Sequence, residues 1–91
     1  MIKEIECTIT GKVQMVMFRD FVQRKARALS IVGTVENRGD GSLRVVAQGA
    51  DGALEKLIEH LHKGPFLARV ARVTVAWKEP VETLRDFKII Y

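Results

Sequence analysis

Only a few residues in this 91-residue chain pair a reactive side chain with a setting that can use it. The foremost is Arg19, in the segment GKVQMVMFRD over residues 11–20, where a strand-like run bends toward a helix. Such a bend presents backbone N–H groups and the positive end of a helix dipole, and arginine adds a fork of donors matched to phosphate oxygens. Anion binding is the chemistry on offer. An ordinary turn carrying a solvated arginine satisfies the same ten residues, and on the decapeptide alone the two readings stand level. Asn37, just ahead of the turn RGDG, is either a partner for Arg19 or plain turn chemistry. Spacing does not decide whether it lies beside the bend.

The other reactive residues are expected to be inert. Cys7 shares the apolar side of a strand pattern with Ile5 and Ile9, which marks a core cysteine. A cysteine-dependent phosphatase loop places an arginine six residues after its cysteine, and that position is Val13. His60 and His62 sit two apart on a helical pattern and diverge by roughly 200°, so they cannot share one metal ion. No metal site is expected.

Composition sets the frame. The charge is +4, from 15 basic and 11 acidic residues that are interspersed, and Arg24, Lys25 and Arg27 read as a solvated helix face. No apolar run approaches the ~18 residues of a membrane span, and the opening MIKEIE lacks the apolar core of a signal peptide. The single cysteine excludes an internal disulfide framework. A cytoplasmic protein without a membrane partner is expected, forming one domain over residues 1–91.

The elements that must position Arg19 and Asn37 follow from periodicity. Residues 2–10 alternate, with Ile5, Cys7 and Ile9 against Glu4, Glu6, Thr8 and Thr10, as in a half-buried strand. From Phe18 the spacing turns helical through Phe21, Val22, Ala26 and Leu29. Strands over about 32–38 and 42–48 flank the RGDG turn, whose Asp40-Gly41 suits a hairpin. A second helix follows, with Asp51 as its expected N-cap, Leu54, Leu57, Ile58 and Leu61 on one face, and Gly64-Pro65 at its end. A strand over Arg69–Trp77 is expected to align Ala71, Val73, Val75 and Trp77, and Pro80 leads to a short last strand with Phe87, Ile89 and Tyr91.

The order β-α-β-β-α-β plus a terminal strand predicts an α+β, ferredoxin-like split β-α-β fold, an antiparallel sheet with two helices on one face. RNA-recognition domains share this plan but stack bases on aromatic rings of the central strands. Here those strands read IECTIT and SLRVVAQ, with no aromatic residue, so no nucleic-acid partner is expected.

The arrangement of these residues resembles the acylphosphatase family across nearly the whole chain. The family pattern G-x-V-Q-G-V-x-F-R stands here as Gly11 to Arg19, and G-x-V-x-N-x-x-D-G as Gly33 to Gly41. VVAQG, the leucine-patterned helix, the Gly-Pro break and ARVARVTV are also similar to the family. The resemblance implies hydrolysis of acyl phosphates to carboxylate and inorganic phosphate, with phosphate as product and inhibitor. It implies that Arg19 binds the phosphate and Asn37 orients the attacking water. A phosphate-binding loop of Gln14, Met15, Val16, Met17 and Phe18 would supply backbone N–H groups. No metal, organic cofactor or covalent phospho-enzyme is implied, and a monomer is expected. So small a toolkit suffices because a carboxylate, with a pKa of about 4, leaves without a dedicated acid.

The chain departs from the family where its loop glycine is Met15. If that position is left-handed, methionine costs on the order of 1–2 kcal/mol there, and its side chain can crowd the phosphate. Met15→Gly is therefore expected to raise catalytic efficiency. The alternative is a catalytically weak or inactive anion-binding module of the same fold. Ser30 and Thr34 replace the frequent family glycine and tryptophan and bear on packing.

Overall fold

Alternating side chains build β1 (Lys3–Lys12), which buries Ile5, Cys7 and Ile9 on one face. After a bend the chain enters α1 (Phe18–Ala28), whose Phe18, Val22 and Ala26 point inward. Next come β2 (Val32–Asn37) and β3 (Leu43–Gly49), then α2 (Asp51–Lys63) with Leu54, Leu57 and Leu61 buried. The chain ends with β4 (Arg69–Lys78) and β5 (Phe87–Ile90). This computed structural model describes all residues from 1 to 91.

The sheet order is β4-β1-β3-β2-β5. The four main strands pair antiparallel, while β5 joins β2 in parallel, Val35 opposite Ile89. The sheet is therefore mixed rather than wholly antiparallel as expected, because the connection after β4 carries the chain across to the far edge. Both helices pack on one face over a core that includes Phe18, Phe87, Leu43, Val45 and the inward side of β1. No helix is long and apolar enough to cross a membrane.

Two local expectations need correction. Ala50, in extended conformation, is the N-cap of α2, and Asp51 lies inside the first turn without a side-chain cap bond. There its charge still suits the helix dipole. Second, the pairing of β1 with β4 slips at Thr10/Gly11, since Gly11 faces Val70 and Thr10 faces Arg72. The slip leaves Ala71 as an extra, exposed residue, and Val70 takes its place on the core side beside Val73 and Val75. Trp77 keeps the expected face, opposite Ile5, and is 46% exposed at the outer strand.

Gly11 makes the slip possible: its φ is +124°, and a Cβ there would stand 2.1 Å from the Arg69 carbonyl oxygen. The bulge bends the end of β1, still paired with β4 through Lys12 and Arg69, toward the loop that precedes α1.

Candidate active site

The loop between β1 and α1 is fixed from below. Val13, Val16 and Phe18 are buried, so every second or third residue anchors the loop to the core. Phe18 meets Phe21 edge-on at 5.9 Å. Gly64, at the end of α2, lies so close that a Cβ there would stand 3.0 Å from the Phe18 ring.

Between these anchors the backbone is unusual. Met15 has φ 60° and Met17 φ 62°, both left-handed, while Gln14, Val16 and Phe18 are not. Left-handed residues alternating with ordinary ones turn successive N–H groups toward a common point, the geometry of an anion-binding nest. The N–H groups of Met15, Val16, Met17 and Phe18 donate to no backbone carbonyl. Met17 is also the N-cap of α1 and gives it no side-chain cap, so the positive end of the helix adds its field to the same place. The left-handed position of Met15 makes strain the consequence of replacing glycine. Its side chain stands 98% exposed at the rim rather than filling the nest.

Arg19, in the first turn of α1, points its guanidinium over the Tyr91 ring at 4.8 Å from the centroid. Its Nη1 donates a long hydrogen bond of 3.5 Å to the Ile90 carbonyl. No carboxylate lies within ion-pair distance of it. By contrast, Arg24 pairs with Asp20 and Arg27 with Asp86, as a solvated helix face should. With no carboxylate partner, the Arg19 guanidinium is left available to an incoming anion.

Topology brings Asn37 to the same place, which spacing alone left open. Leu43 of β3 pairs with Ile9 of β1 on one side and with Asn37 of β2 on the other. β1 and β2 therefore run the same way, and their C-termini lie at the same end of the sheet. Side chains in one such row share a face, so Asn37 points to the helix side, past the last core residues. Its Oδ1 is buried and has no hydrogen-bond partner within the protein. Native proteins rarely leave a buried acceptor so, and the exceptions mark functional sites.

Arg19 and Asn37 line one cavity of about 120 Å³, together with Val13, Met15, Met17, Phe18, Asp20, Ile89 and Tyr91. A water needs roughly 10–15 Å³ by the same measure, so a tetrahedral anion and a water fit together. Gln14 is not on this wall. Its amide Nε2 instead donates to the Arg38 carbonyl at 2.8 Å and the Ser42 carbonyl at 3.0 Å. These bonds tie the loop to the turn that follows Asn37. The turn is itself closed by Arg38 N–H to the Ser42 carbonyl, and by Ser42 N–H and Oγ–H to Asp40 Oδ1. Sequence reasoning missed this tie, because its partners lie 24 and 28 residues away and are backbone atoms. It also missed Val13, Asp20, Ile89 and Tyr91 as wall residues.

The remaining reactive groups lie elsewhere. Burial pushes the Cys7 thiol up to about 12, so it stays protonated in the core. Phe21 meets the His60 ring edge-on, His62 is exposed, and no group of three His, Cys, Asp or Glu side chains is placed to hold a metal ion. The open face of the sheet carries Glu6 between Arg44 and Lys78, at 2.8 and 3.2 Å. Hydrogen bonds from Arg44 and then Lys78 hold the Glu6 carboxyl down at about 2. That face is an ion-pair lattice with no aromatic platform on β1 or β3.

Comparison with known proteins gives the family and the fold. The acylphosphatase family model matches residues 5–89. An acylphosphatase of Salinibacter ruber is 45% identical over 87 residues, covering 96% of this chain and 92% of the relative. The crystal structure of acylphosphatase from Bacillus subtilis superposes with a TM-score of 0.95 at 31% identity, covering 98% of this chain and 99% of that one. An acylphosphatase structure from Coxiella burnetii does so at 0.92 and 36% identity, covering 98% and 93%. With the two signatures, the fold and the family match in agreement, the chain belongs to the acylphosphatase family.

Proposed function

We propose that this enzyme hydrolyses acyl phosphates by direct attack of water on phosphorus, with Arg19 and Asn37 as its catalytic residues. The phosphoryl group sits against the N–H groups of residues 15–18, with the Arg19 guanidinium on its remaining oxygens. Asn37 Oδ1 accepts a hydrogen bond from the water and aims its oxygen at phosphorus. The new P–O bond forms as the bond to the bridging oxygen breaks, and that oxygen leaves with its electron pair as a carboxylate. The products are a carboxylate and dihydrogen phosphate, which balance the dianionic substrate and one water. Charge stabilisation comes from fixed donors that need no rearrangement, which is where such sites gain most of their rate.

The observation that carries this reading is the orphaned, buried Asn37 Oδ1 in the same small cavity as the unpaired Arg19. The reading includes a monomeric, cytoplasmic enzyme that uses no cofactor and is inhibited competitively by its phosphate product. It is tested with chelator-treated protein and benzoyl phosphate. Turnover that phosphate inhibits, and that falls about 10²–10³-fold in Arg19→Ala, is the expected result. Phosphate binding without turnover would replace the enzyme by an anion-binding module.

A further inference from the structure

The cavity has an apolar rim that phosphate chemistry does not need. Met15, Met17 and Tyr91 surround its mouth and are 98%, 74% and 94% exposed. Six of the nine lining residues are hydrophobic, although the group held at the bottom is an anion. The two methionines also occupy left-handed backbone positions, where glycine would serve the nest without strain. Strain kept at a site points to a use for the side chain that causes it. Methionine is flexible and polarizable, and proteins use it where one surface must receive apolar groups of differing shape.

We infer that Met15, Met17 and Tyr91 form a receiving collar for the acyl part of the substrate. The substrates it favours are acyl phosphates with aromatic or extended aliphatic acyl groups. This inference rests on the phosphate position proposed above. A phosphoryl group held by the nest and Arg19 has its nitrogen-facing oxygens at the floor, so the acyl arm leaves through the mouth between these three side chains. Burying that arm removes apolar surface from water on both partners, a gain that a small acyl group such as acetyl cannot provide. The collar acts on binding of the arm, so it sets KM more than kcat.

The test uses two non-hydrolysable probes in which CH2 replaces the bridging oxygen, phenacylphosphonate and acetonylphosphonate, with affinities measured by calorimetry. It is run beside kcat/KM for benzoyl and acetyl phosphate. The protein is expected to bind the phenacyl probe at least tenfold more tightly than the acetonyl probe. In the double variant Met15→Ser, Met17→Ser, which keeps a β-carbon and hence the backbone strain, this preference falls at least fivefold. Tyr91→Ser lowers it independently. A preference that stays within twofold in both variants overturns the collar. The two ideas fail separately: absence of turnover with the binding preference intact removes the hydrolase reading and leaves the collar standing.

Discussion

Asn37→Ala separates a catalytic residue from a structural one, because the two roles move stability in opposite directions. Asn37 ends β2 on the core side, and its Oδ1 accepts no hydrogen bond from the protein. An ordinary buried amide that loses its bonds destabilises a fold by about 1–3 kcal/mol, since a partner is left unsatisfied. Here truncation removes the unsatisfied atom itself and breaks no protein hydrogen bond to it. Only the packing of a small, half-buried amide is lost, an effect of about 0.5 kcal/mol. The expected balance runs from no change to about 1 kcal/mol of added stability, equivalent to a Tm rise of up to roughly 4–8 °C for a domain of this size. Turnover should fall about 10²–10³-fold, as when a transition-state contact is removed. Thermal unfolding by circular dichroism and benzoyl phosphate hydrolysis followed by absorbance read the two quantities on one preparation. A Tm loss of more than about 5 °C in parallel with the loss of activity would make Asn37 structural. Retained activity would refute the water-positioning role outright.

Three further outcomes follow from the geometry. Gln14→Ala removes two hydrogen bonds to the turn beyond Asn37 and should lower stability by about 1–2 kcal/mol as well as kcat, measured by urea unfolding and steady-state kinetics; an unchanged urea midpoint would count against the tie. Ser30 sits at φ 59° after α1, so Ser30→Gly should stabilise the fold by about 1 kcal/mol, and a lower Tm would contradict this. The Glu6 carboxyl is held at about 2 rather than its ordinary 4.5, so its contribution is present above that ordinary value and is lost as pH falls toward the depressed one. Acid unfolding curves should show about 1 kcal/mol lost across this window, and Glu6→Gln should remove that loss; an unaltered acid limb would show that the ion-pair lattice does not set it.

Most of the architecture was legible because it rests on local periodicity. Alternation in β1 and helical spacing in α1 and α2 depend only on which face of each element is buried. What failed to show depends on pairing between distant segments. The slip at Gly11, the parallel docking of β5 on β2 and the exposure of Ala71 are set by strand register, which no single segment contains. Asp51 fits both the cap and the first turn of a helix, and composition does not separate adjacent positions of that kind. The roles proposed for Arg19 and Asn37 came from the family resemblance; their meeting at one end of the sheet emerged only through Leu43, which pairs with a neighbour on each side. Met15 was visible as a missing glycine. Its left-handed φ and its exposed side chain were not.

The central claim is that water attacks phosphorus while Arg19 and the loop N–H groups hold the phosphoryl oxygens. Hydrolysis of benzoyl phosphate in ¹⁸O-labelled water, with both products analysed by mass spectrometry, tests it most directly. The account predicts one labelled oxygen in the inorganic phosphate and none in the benzoate. Label in the benzoate would place the attack on the carbonyl carbon and contradict the proposed roles of Arg19 and Asn37.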